Sequence, residues 1–420
     1  PITVVGVGDM SGDVFGNGML RSRAIRLVAA FDHRDIFIDP TPDEATSFEE
    51  RRRLFELPRS SWQDYDQSLV SAGGGVFSRT AKSVTLSPEA REALRIDAAE
   101  LSPPELINAI LKAPVDLLWF GGIGTYVKSR EESNSEVGDR ANDAVRVNAD
   151  QVGARVVGEG GNLAMTQLGR IGYARRGGRC NTDATDNAAG VNTSDREVNL
   201  KILLSLAINA GQLEEDNRND LLARLTEDVG DQVLRDQYLQ TWAISQELSS
   251  APGGMGAYEQ MMQSLESRGR LDRAVELLPD TAEVEERRKQ GAGFTRPELA
   301  VLLAYAKIDV TEQLLTDGVV DQPAFEPVRA DYFPGEAATR FAALAQEHRL
   351  RRDLVATIIA GDLCNRMGIT WATRTSADLG VDVSTVAAAY WIAREVIDAD
   401  GLWREVEAQD ARIDPTLQLE

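Results

Sequence analysis

The sequence predicts an α/β domain built on a parallel sheet, followed by an all-α domain. An apolar run at residues 1–7 leads directly into a glycine-rich turn, which is typical of a strand–turn–helix unit. Short β-branched runs then alternate with polar or helical stretches, which favours parallel strands joined by helices. Beyond residue 206, long helical periodicity replaces the strand signals. We therefore predict domains at residues 1–205 and 206–420.

The first strand and the turn after it are the element around which the first domain is predicted. The turn carries Gly6, Gly8 and Gly12 in a G-x-G-x-x-x-G pattern. Gly6 permits a tight turn, Gly8 lets the backbone approach a pyrophosphate, and Gly12 lets a new helix pack closely while its N–H groups face the phosphates. The spacing is one residue longer than G-x-G-x-x-G, with Ser11 where the third glycine would fall. An ordinary tight turn is the alternative interpretation.

A second strand is predicted at residues 26–31, and it ends in Asp32. An acidic side chain about twenty residues past the last glycine is placed to accept hydrogen bonds from the adenosine ribose hydroxyls of a dinucleotide. Its charge would repel a 2′-phosphate. The pattern therefore predicts a Rossmann-like fold that prefers NAD to NADP.

The region from about residue 39 to 95 is predicted to be a loop-rich insertion, because it is interrupted by prolines and by three consecutive glycines at 73–75. Within it, Ser61 precedes Asp64 by three residues, a spacing that caps a short helix. A catalytic serine here is the weaker interpretation, since His33 and His348 are the only histidines and neither is close in sequence.

Two further strands are predicted at residues 115–119 and 154–157, and each ends in a glycine-rich segment, at 121–124 and at 158–162. In open parallel sheets, ligands bind outside the carboxyl ends of the strands. Both segments are therefore expected at the same crevice as Gly6–Gly12, although flexible connectors are the alternative.

The segment 181–197 is rich in polar residues and precedes a predicted helix. Ser194 and Glu197 fit a capping box that would start this helix, and it should run through residue 204. A helix N-terminus also suits an anion such as a substrate carboxylate. The nearby acids lack histidine and calcium-loop spacing, so no metal site is predicted.

The second half of the sequence carries helical patterns without a chemical constellation. A helix is predicted at 221–248, a break at 251–254, and further helices around 337–348, 351–367 and 383–399. Thr295 and Glu298 form a capping box for another helix, with Pro297 tolerated in its first turn.

Composition narrows the function classes. The net charge of −22 over 420 residues opposes binding to nucleic acid or to anionic membranes. The longest strongly apolar run, 299–306, is too short to span a bilayer. Cys180 and Cys364 share no metal or redox spacing, which favours a reducing cytoplasm. The sequence opens with Pro1 at the edge of a strand, so we expect a fragment of a longer chain.

Several long motifs together resemble the large NAD-specific glutamate dehydrogenases of bacteria. The resemblance covers essentially the whole chain, as the nucleotide-binding part of the catalytic domain followed by the helical C-terminal region. The motifs that carry it are GVGDMSGDVFGNG (6–18), AFDH (30–33), GGIGTY (121–126), EGGN (159–162), SD and EVN (194–195 and 197–199), TRPELAVLLAYAK (295–307) and NRMGI (365–369).

The resemblance implies an NAD-dependent oxidative deamination of L-glutamate to 2-oxoglutarate and ammonia. It implies that the loop holds the pyrophosphate, that Asp32 contacts the adenosine ribose, and that Asn162 lies by the nicotinamide end. The predicted coenzyme contacts are Gly6, Gly8, Met10, Ser11, Gly12, Asp32, Gly121, Gly122, Asn162 and Asn187.

Val191 and Ser194 resemble residues that line the glutamate side chain. Gly161 and Ala189 depart from the smaller glutamate dehydrogenases, and so does Asp9, which is expected to point away from the phosphates.

The resemblance also implies that the catalytic lysines belong to a substrate domain that precedes the nucleotide domain. Lys82, Lys112, Lys128 and Lys201 do not lie in a matching motif, so we predict no catalytic residue and expect the fragment to bind NAD without turnover. A homo-oligomer, with a tetramer suspected, is implied as well. The alternatives are a regulatory or oligomerisation module, or a related NAD-dependent amino-acid dehydrogenase.

Overall fold

The computed structural model describes residues 1–122 and 124–419, which fold into two compact units. The division falls between Asn187 and Ala188. Each unit contains its own clusters of buried apolar side chains. The predicted domain boundary at residue 205 lies inside the first helix of the second unit, Ala188–Asn209.

The first unit is organised around a six-stranded sheet with the order β10-β7-β1-β2-β3-β4. Two short pairs, β5 with β6 and β8 with β9, lie outside it. In chain order the strands are β1 (Ile2–Val7), β2 (Ile25–Phe31), β3 (Asp35–Ile38), β4 (Gly75–Ser78), β5 (Val84–Thr85), β6 (Glu100–Leu101), β7 (Leu117–Phe120), β8 (Val127–Lys128), β9 (Val147–Asn148) and β10 (Val156–Glu159).

The strands β10, β7, β1 and β2 are parallel and end level with one another. Val7 pairs with both Phe31 and Phe120, and Phe120 in turn pairs with Glu159. The loops that follow these four residues therefore leave the sheet at one edge. The predicted parallel arrangement is confirmed for these strands, whereas β3 and β4 run antiparallel. The sheet is therefore mixed.

Both faces of the sheet are buried around its central strands, because alternate side chains of β1 enter different apolar clusters. Val5 and Val7 of β1 belong to one cluster, while Val4 belongs to the other. The helix bearing Leu106 and Ile107 covers the first face. Such two-sided burial explains why the strands read as continuous apolar runs.

Seven helices are described in the first unit: α1 (Gly12–Phe15), α2 (Glu44–Glu56), α3 (Pro88–Leu94), α4 (Pro103–Ile110), α5 (Asn134–Val137), α6 (Gln167–Arg175) and α7 (Asp183–Asp186). The segment 39–95, expected to be loop-rich, contains α2, α3 and the strands β4 and β5. Asp43 caps α2 by accepting a hydrogen bond from the Thr46 amide. The predicted capping box of Ser61 and Asp64 is confirmed on a short 3-10 turn.

In the second unit every regular element described is a helix, as the sequence predicts. These helices are α8 (Ala188–Asn209), α9 (Arg218–Arg224), α10 (Thr226–Ser267), α11 (Arg273–Glu276), α12 (Thr281–Lys289), α13 (Arg296–Thr316), α14 (Glu326–Asp331), α15 (Gly335–Arg340), α16 (Ala342–Ala345), α17 (Arg351–Met367), α18 (Trp371–Leu379), α19 (Val383–Val396), α20 (Ala399–Glu407) and α21 (Pro415–Leu419). The capping box of Thr295 and Glu298 is confirmed at the start of α13. Among the described residues, no helix is both long and apolar enough to cross a membrane.

The predicted break at residues 251–254 is wrong, because α10 continues through Pro252 for a total length of 42 residues. Ala251 and Met255 on either side of the proline are buried in the core of the unit. Tertiary packing of this apolar face outweighs the cost of a proline inside the helix.

Candidate functional site

The candidate site lies at the carboxyl ends of β1 and β7, where the order of the sheet reverses. The chain passes from β1 to β2 on one side and later returns to place β7 on the other side of β1. Such a reversal opens a crevice between the loops that follow the two central strands. The loops here are residues 8–12 after β1 and residues 121–124 after β7; Ile123 lies outside the described residues.

Packing leaves no room for a side chain at Gly8 in the first loop, where the Met10 carbonyl oxygen is also close, and little room at Gly6 in β1, where the neighbour is the flexible end of Met19. A Cβ added at Gly6 would lie 2.9 Å from the Met19 Cε, and one at Gly8 would lie 2.8 Å from the Asp13 Cβ. Gly12 differs, since a Cβ there would meet no described atom within 4 Å. The space above Gly12 is therefore open.

The helix predicted after this loop is present but short, because α1 contains only four residues. The Met10 amide donates a hydrogen bond to the Asp13 Oδ2 at 2.9 Å. Within residues 1–122 and 124–419, no hydrogen bond engages the N–H groups of Ser11 and Gly12. The Met10 side chain is 61 % exposed. The loop thus presents two backbone donors beside open space.

Glycines allow close contact between the loops that follow β1, β7 and β10 at this edge of the sheet. A Cβ at Gly121 would lie 2.6 Å from the Asp13 carbonyl oxygen, and one at Gly122 would lie 2.4 Å from the Asp9 amide nitrogen. A Cβ at Gly161, after β10, would lie 2.3 Å from the Gly122 carbonyl oxygen. The three glycine-rich strand ends therefore lie next to one another, as predicted, and their role in lining a ligand crevice stays a prediction.

Asp32 lies at the end of β2 as predicted, but it is fully buried. Its Oδ1 accepts hydrogen bonds from the Arg34 and Asp35 amides at 2.7 and 2.9 Å. Its Oδ2 accepts one from the Ser11 hydroxyl at 2.5 Å. The carboxylate therefore holds the tight turn into β3 and joins it to the glycine loop through Ser11, which is itself buried.

Asp9 and Asp13 add negative charge to the same loop. Burial and the neighbouring Asp9 carboxyl raise the pKa of Asp13. Asp9 is exposed, and one of its carboxylate oxygens lies against Gly122. Its side chain thus packs on the neighbouring loop, and whether it points away from bound phosphates stays a prediction.

Asn162 and Asn187 are brought together as hydrogen-bonded neighbours, with the Asn187 side-chain amide donating to the Asn162 Oδ1. Asn162 follows β10, whereas Asn187 follows α7. These two predicted coenzyme contacts therefore share one position in the first unit.

A buried ion-pair network fixes the two segments that carry these asparagines. The Arg170 guanidinium donates to both Glu159 oxygens, at 2.7 and 2.8 Å, and lies 3.0 Å from the Asp183 Oδ1. Asp183 also accepts a hydrogen bond from the Leu163 amide at 2.9 Å. Burial raises the pKa of Glu159, and the hydrogen bonds from Arg170 oppose that rise. Sequence analysis did not identify this network, because nothing in the local pattern pairs these residues.

Val191 and Ser194 lie in the second unit, on α8, and both are exposed. The prediction that Ser194 caps this helix is wrong, because α8 begins at Ala188 and Ser194 is well inside it. Residues 188–193, which the sequence analysis placed before the helix, already belong to it. Whether Val191 and Ser194 contact a substrate stays a prediction.

No metal or disulfide chemistry is indicated by the described residues. Cys180 and Cys364 are both buried and unbonded to each other. No group of three potential ligand side chains occurs in the part of the chain that the structure describes. Lys128, one of the lysines of the first unit, donates to the Ser129 and Glu132 carbonyls and to the Asn148 Oδ1, so its ammonium is engaged structurally.

Sequence reasoning also missed two side chains at the crevice. The indole N–H of Trp119 is buried beside Gly121 and has no hydrogen-bond partner among the described residues. Arg34 follows Asp32 by two residues, and its side chain reaches the Ser11 hydroxyl. The position of Arg34 just after the acidic residue that follows β2 was the feature of the sequence that could have indicated it.

Comparison with known proteins identifies the family. Residues 1–247 match the family model described as bacterial NAD-glutamate dehydrogenase, catalytic domain, and residues 291–420 match glutamate dehydrogenase, C-terminal.

Curated relatives support the same assignment. The chain is 50 % identical over 418 residues to the NAD-specific glutamate dehydrogenase of Pseudomonas aeruginosa, covering 100 % of this chain and 26 % of the relative. It is 48 % identical to the proteins of that name from Halomonas elongata and Mycobacterium tuberculosis, covering 99 % and 98 % of this chain and 26 % of each relative. The chain thus spans about a quarter of the length of these relatives. It belongs to the bacterial NAD-glutamate dehydrogenase family.

Proposed function

We propose that this chain supplies the coenzyme-binding part of an enzyme that oxidises L-glutamate to 2-oxoglutarate and ammonia with NAD. The observation that carries the proposal is the interlocked set of glycine loops at the sheet reversal, in a chain about half identical to proteins named NAD-specific glutamate dehydrogenase. We also propose that the four parallel strands form the core of a Rossmann-like fold.

The described residues fit a dinucleotide. The open space above Gly12 and the unpaired N–H groups of Ser11 and Gly12 suit a pyrophosphate, which accepts hydrogen bonds from backbone amides. The buried indole N–H of Trp119 is a further donor at the crevice. Because α1 is short, these individual amides contribute more than a helix dipole would.

Each end of the coenzyme has candidate partners. Asp32, whose Oδ2 accepts a hydrogen bond from Ser11, would lie beside the adenosine ribose, and its charge would disfavour a 2′-phosphate there. The joined amides of Asn162 and Asn187 would orient the nicotinamide end. When bound, NAD supplies the hydride acceptor for the Cα hydrogen of glutamate.

We propose that the substrate side needs contributions from outside this chain. Val191 and Ser194 would line the glutamate side chain. Loss of hydride gives an imine, whose hydrolysis needs a base to activate water. We propose that these proton-transfer groups belong to the rest of the full-length protein. The relatives are about four times as long as this chain, which covers 26 % of the first of them. Closure over the substrate would exclude water from the hydride path.

Full-length protein tests this function through NADH formation, followed by absorbance, with L-glutamate, leucine or phenylalanine as the substrate. Turnover with glutamate alone supports the proposal. Turnover with leucine or phenylalanine and none with glutamate would transfer the chain to a related amino-acid dehydrogenase. Absence of NADH binding in calorimetric titration would contradict any dehydrogenase role.

We further propose a cytoplasmic homo-oligomer. Pairs of exposed apolar side chains separated by one helical turn occur on α19, at Ile392 and Val396, and on α20, at Leu402 and Val406. Such surfaces often mark self-association. Light scattering of the full-length protein during size-exclusion chromatography should give a mass above that of one chain, and a monomer at high concentration would contradict the proposal.

A further inference from the structure

The proposed coenzyme loop has an electrostatic problem. Asp9 lies in the loop, Asp13 follows it in the first turn of α1, and Asp32 lies directly behind Ser11. A pyrophosphate brings negative charge on both of its phosphates. Like charges this close repel one another strongly in a partly buried site. Binding therefore calls for a cation at the same place.

Arg34 lies where such a cation is needed. Its backbone amide donates to the Asp32 carboxylate, so its position is fixed by the turn after β2. Its exposed side chain reaches back over the loop, where Nη2 lies 3.2 Å from the Ser11 Oγ and 3.4 Å from the Ser60 carbonyl oxygen. The guanidinium is thereby held beside the phosphate loop.

The hydrogen-bonding capacity of this guanidinium is largely unused. Both side-chain bonds of Arg34 come from Nη2 and both are long. Within residues 1–122 and 124–419, neither Nε nor Nη1 has a hydrogen-bond partner. A guanidinium offers its donors as a planar fork that matches two phosphate oxygens. Arg34 is therefore able to bind an anion without losing a strong interaction.

Arg79 is a nearby cation with a different role. Its Nη1 donates to the Asp32 carbonyl oxygen at 2.6 Å, and the side chain is half-buried. This short bond commits Arg79 to the turn between β2 and β3. Arg34, with its longer bonds and exposed side chain, is the arginine that is free to move toward a ligand at the loop.

We infer that Arg34 is a specificity-determining contact of the coenzyme site, where its guanidinium binds the phosphates of the ADP half and offsets the carboxylates of the loop. This inference rests on the proposed function, because only a dinucleotide at the loop would place phosphates within its reach. The contact is electrostatic, so it should weaken as salt rises. It belongs to the adenosine side of the coenzyme, so ligands that lack that side should not sense it.

The test compares Arg34→Ala and Arg34→Lys in the full-length protein by calorimetric titration of NADH, ADP-ribose and reduced nicotinamide mononucleotide. Arg52→Ala is the matched control, since Arg52 is an exposed arginine of the same unit that pairs with Glu49. Gly12→Val serves as a variant with a blocked loop. Arg34→Ala should weaken NADH and ADP-ribose about tenfold and flatten their salt dependence. Arg34→Lys keeps the charge but loses the planar fork of donors, so its affinity for these ligands should lie between those of the wild type and Arg34→Ala.

Each outcome separates this inference from the proposed function. If wild type binds NADH and Gly12→Val does not, while Arg34→Ala binds like Arg52→Ala, the inference is overturned and the function stands. An equal loss for reduced nicotinamide mononucleotide, or a loss confined to 2′-phosphorylated ligands, would also overturn it. If wild type itself binds no NADH, both the inference and the proposed function fail.

Discussion

The buried pair of Arg170 and Glu159 gives the sharpest stability prediction. Both side chains are at most 5 % exposed. Arg170→Met removes the guanidinium and leaves the Glu159 carboxylate buried, where the Met165 amide, at 3.1 Å, is its remaining hydrogen-bond donor among the described residues. Breaking such a pair costs about 3–5 kcal/mol, because an uncompensated charge stays in the interior. The cost should fall on residues 159–187, which this network joins.

Hydrogen–deuterium exchange with mass spectrometry measures that local cost. A loss of about 3 kcal/mol should accelerate exchange more than about a hundredfold in peptides from residues 159–187, unless global unfolding limits it. Peptides from α4 should change much less. The matched control is Arg155→Met, since Arg155 pairs with Asp116 at an exposed site and should contribute at most about 1 kcal/mol.

The charge explanation also predicts a rescue and a pH dependence. Adding Glu159→Gln to Arg170→Met should recover part of the protection, because no buried charge is left. Without Arg170, the pKa of Glu159 should rise further, so the defect should shrink as pH falls and the carboxyl is protonated. An exchange increase below about tenfold, or one equal to that of Arg155→Met, would refute the reasoning.

Three further outcomes are expected. Asp32→Ser should lower the preference for NAD over NADP about tenfold in binding titrations, because it removes the charge that we propose faces the 2′ position; an unchanged ratio would contradict the ribose assignment. Gly122→Ala should weaken NADH binding about tenfold or more, since its Cβ would lie 2.4 Å from the Asp9 amide nitrogen, whereas Gly172→Ala, with its nearest neighbour at 4.0 Å, should bind normally. Burial lowers the pKa of Lys307 to about 8 from 10.5. Between these pH values the unfolded chain binds more protons than the folded protein, so the free energy of unfolding should rise with pH. Urea titrations should show a smaller rise for Lys307→Met than for the wild type, and an equal rise would exclude this residue as the cause.

The sequence predicted those features of the structure that depend on interactions between residues close together in the chain. The capping boxes at Ser61 and Thr295 depend only on residues three apart, and both form as expected. The glycines at 6, 8, 121 and 122 were recognised as glycine-rich segments at the ends of apolar strands, and the structure adds that each lies close to a neighbouring residue. These features are encoded within a few residues of sequence.

The errors occur where distant contacts decide. Pro252 reads as a helix breaker, but burial of α10 on both sides of it keeps the helix continuous. Nothing in the sequence indicated that Asp32 is buried, with Oδ1 accepting from the turn into β3 and Oδ2 accepting from Ser11; its contact with a ribose stays a prediction. The pairing of Arg170 with Glu159 joins different elements, so no periodicity reveals it.

The glycine contacts between the loops also bear on how this site tolerates change. Because Gly122 abuts the Asp9 amide and Gly161 abuts the Gly122 carbonyl, a larger residue in one loop requires a backbone shift in the next. Substitutions here should therefore be strongly non-additive, with single changes harmful and matched pairs acceptable. An effort to redesign coenzyme preference would do better to vary the three loops jointly in one library than to screen them position by position.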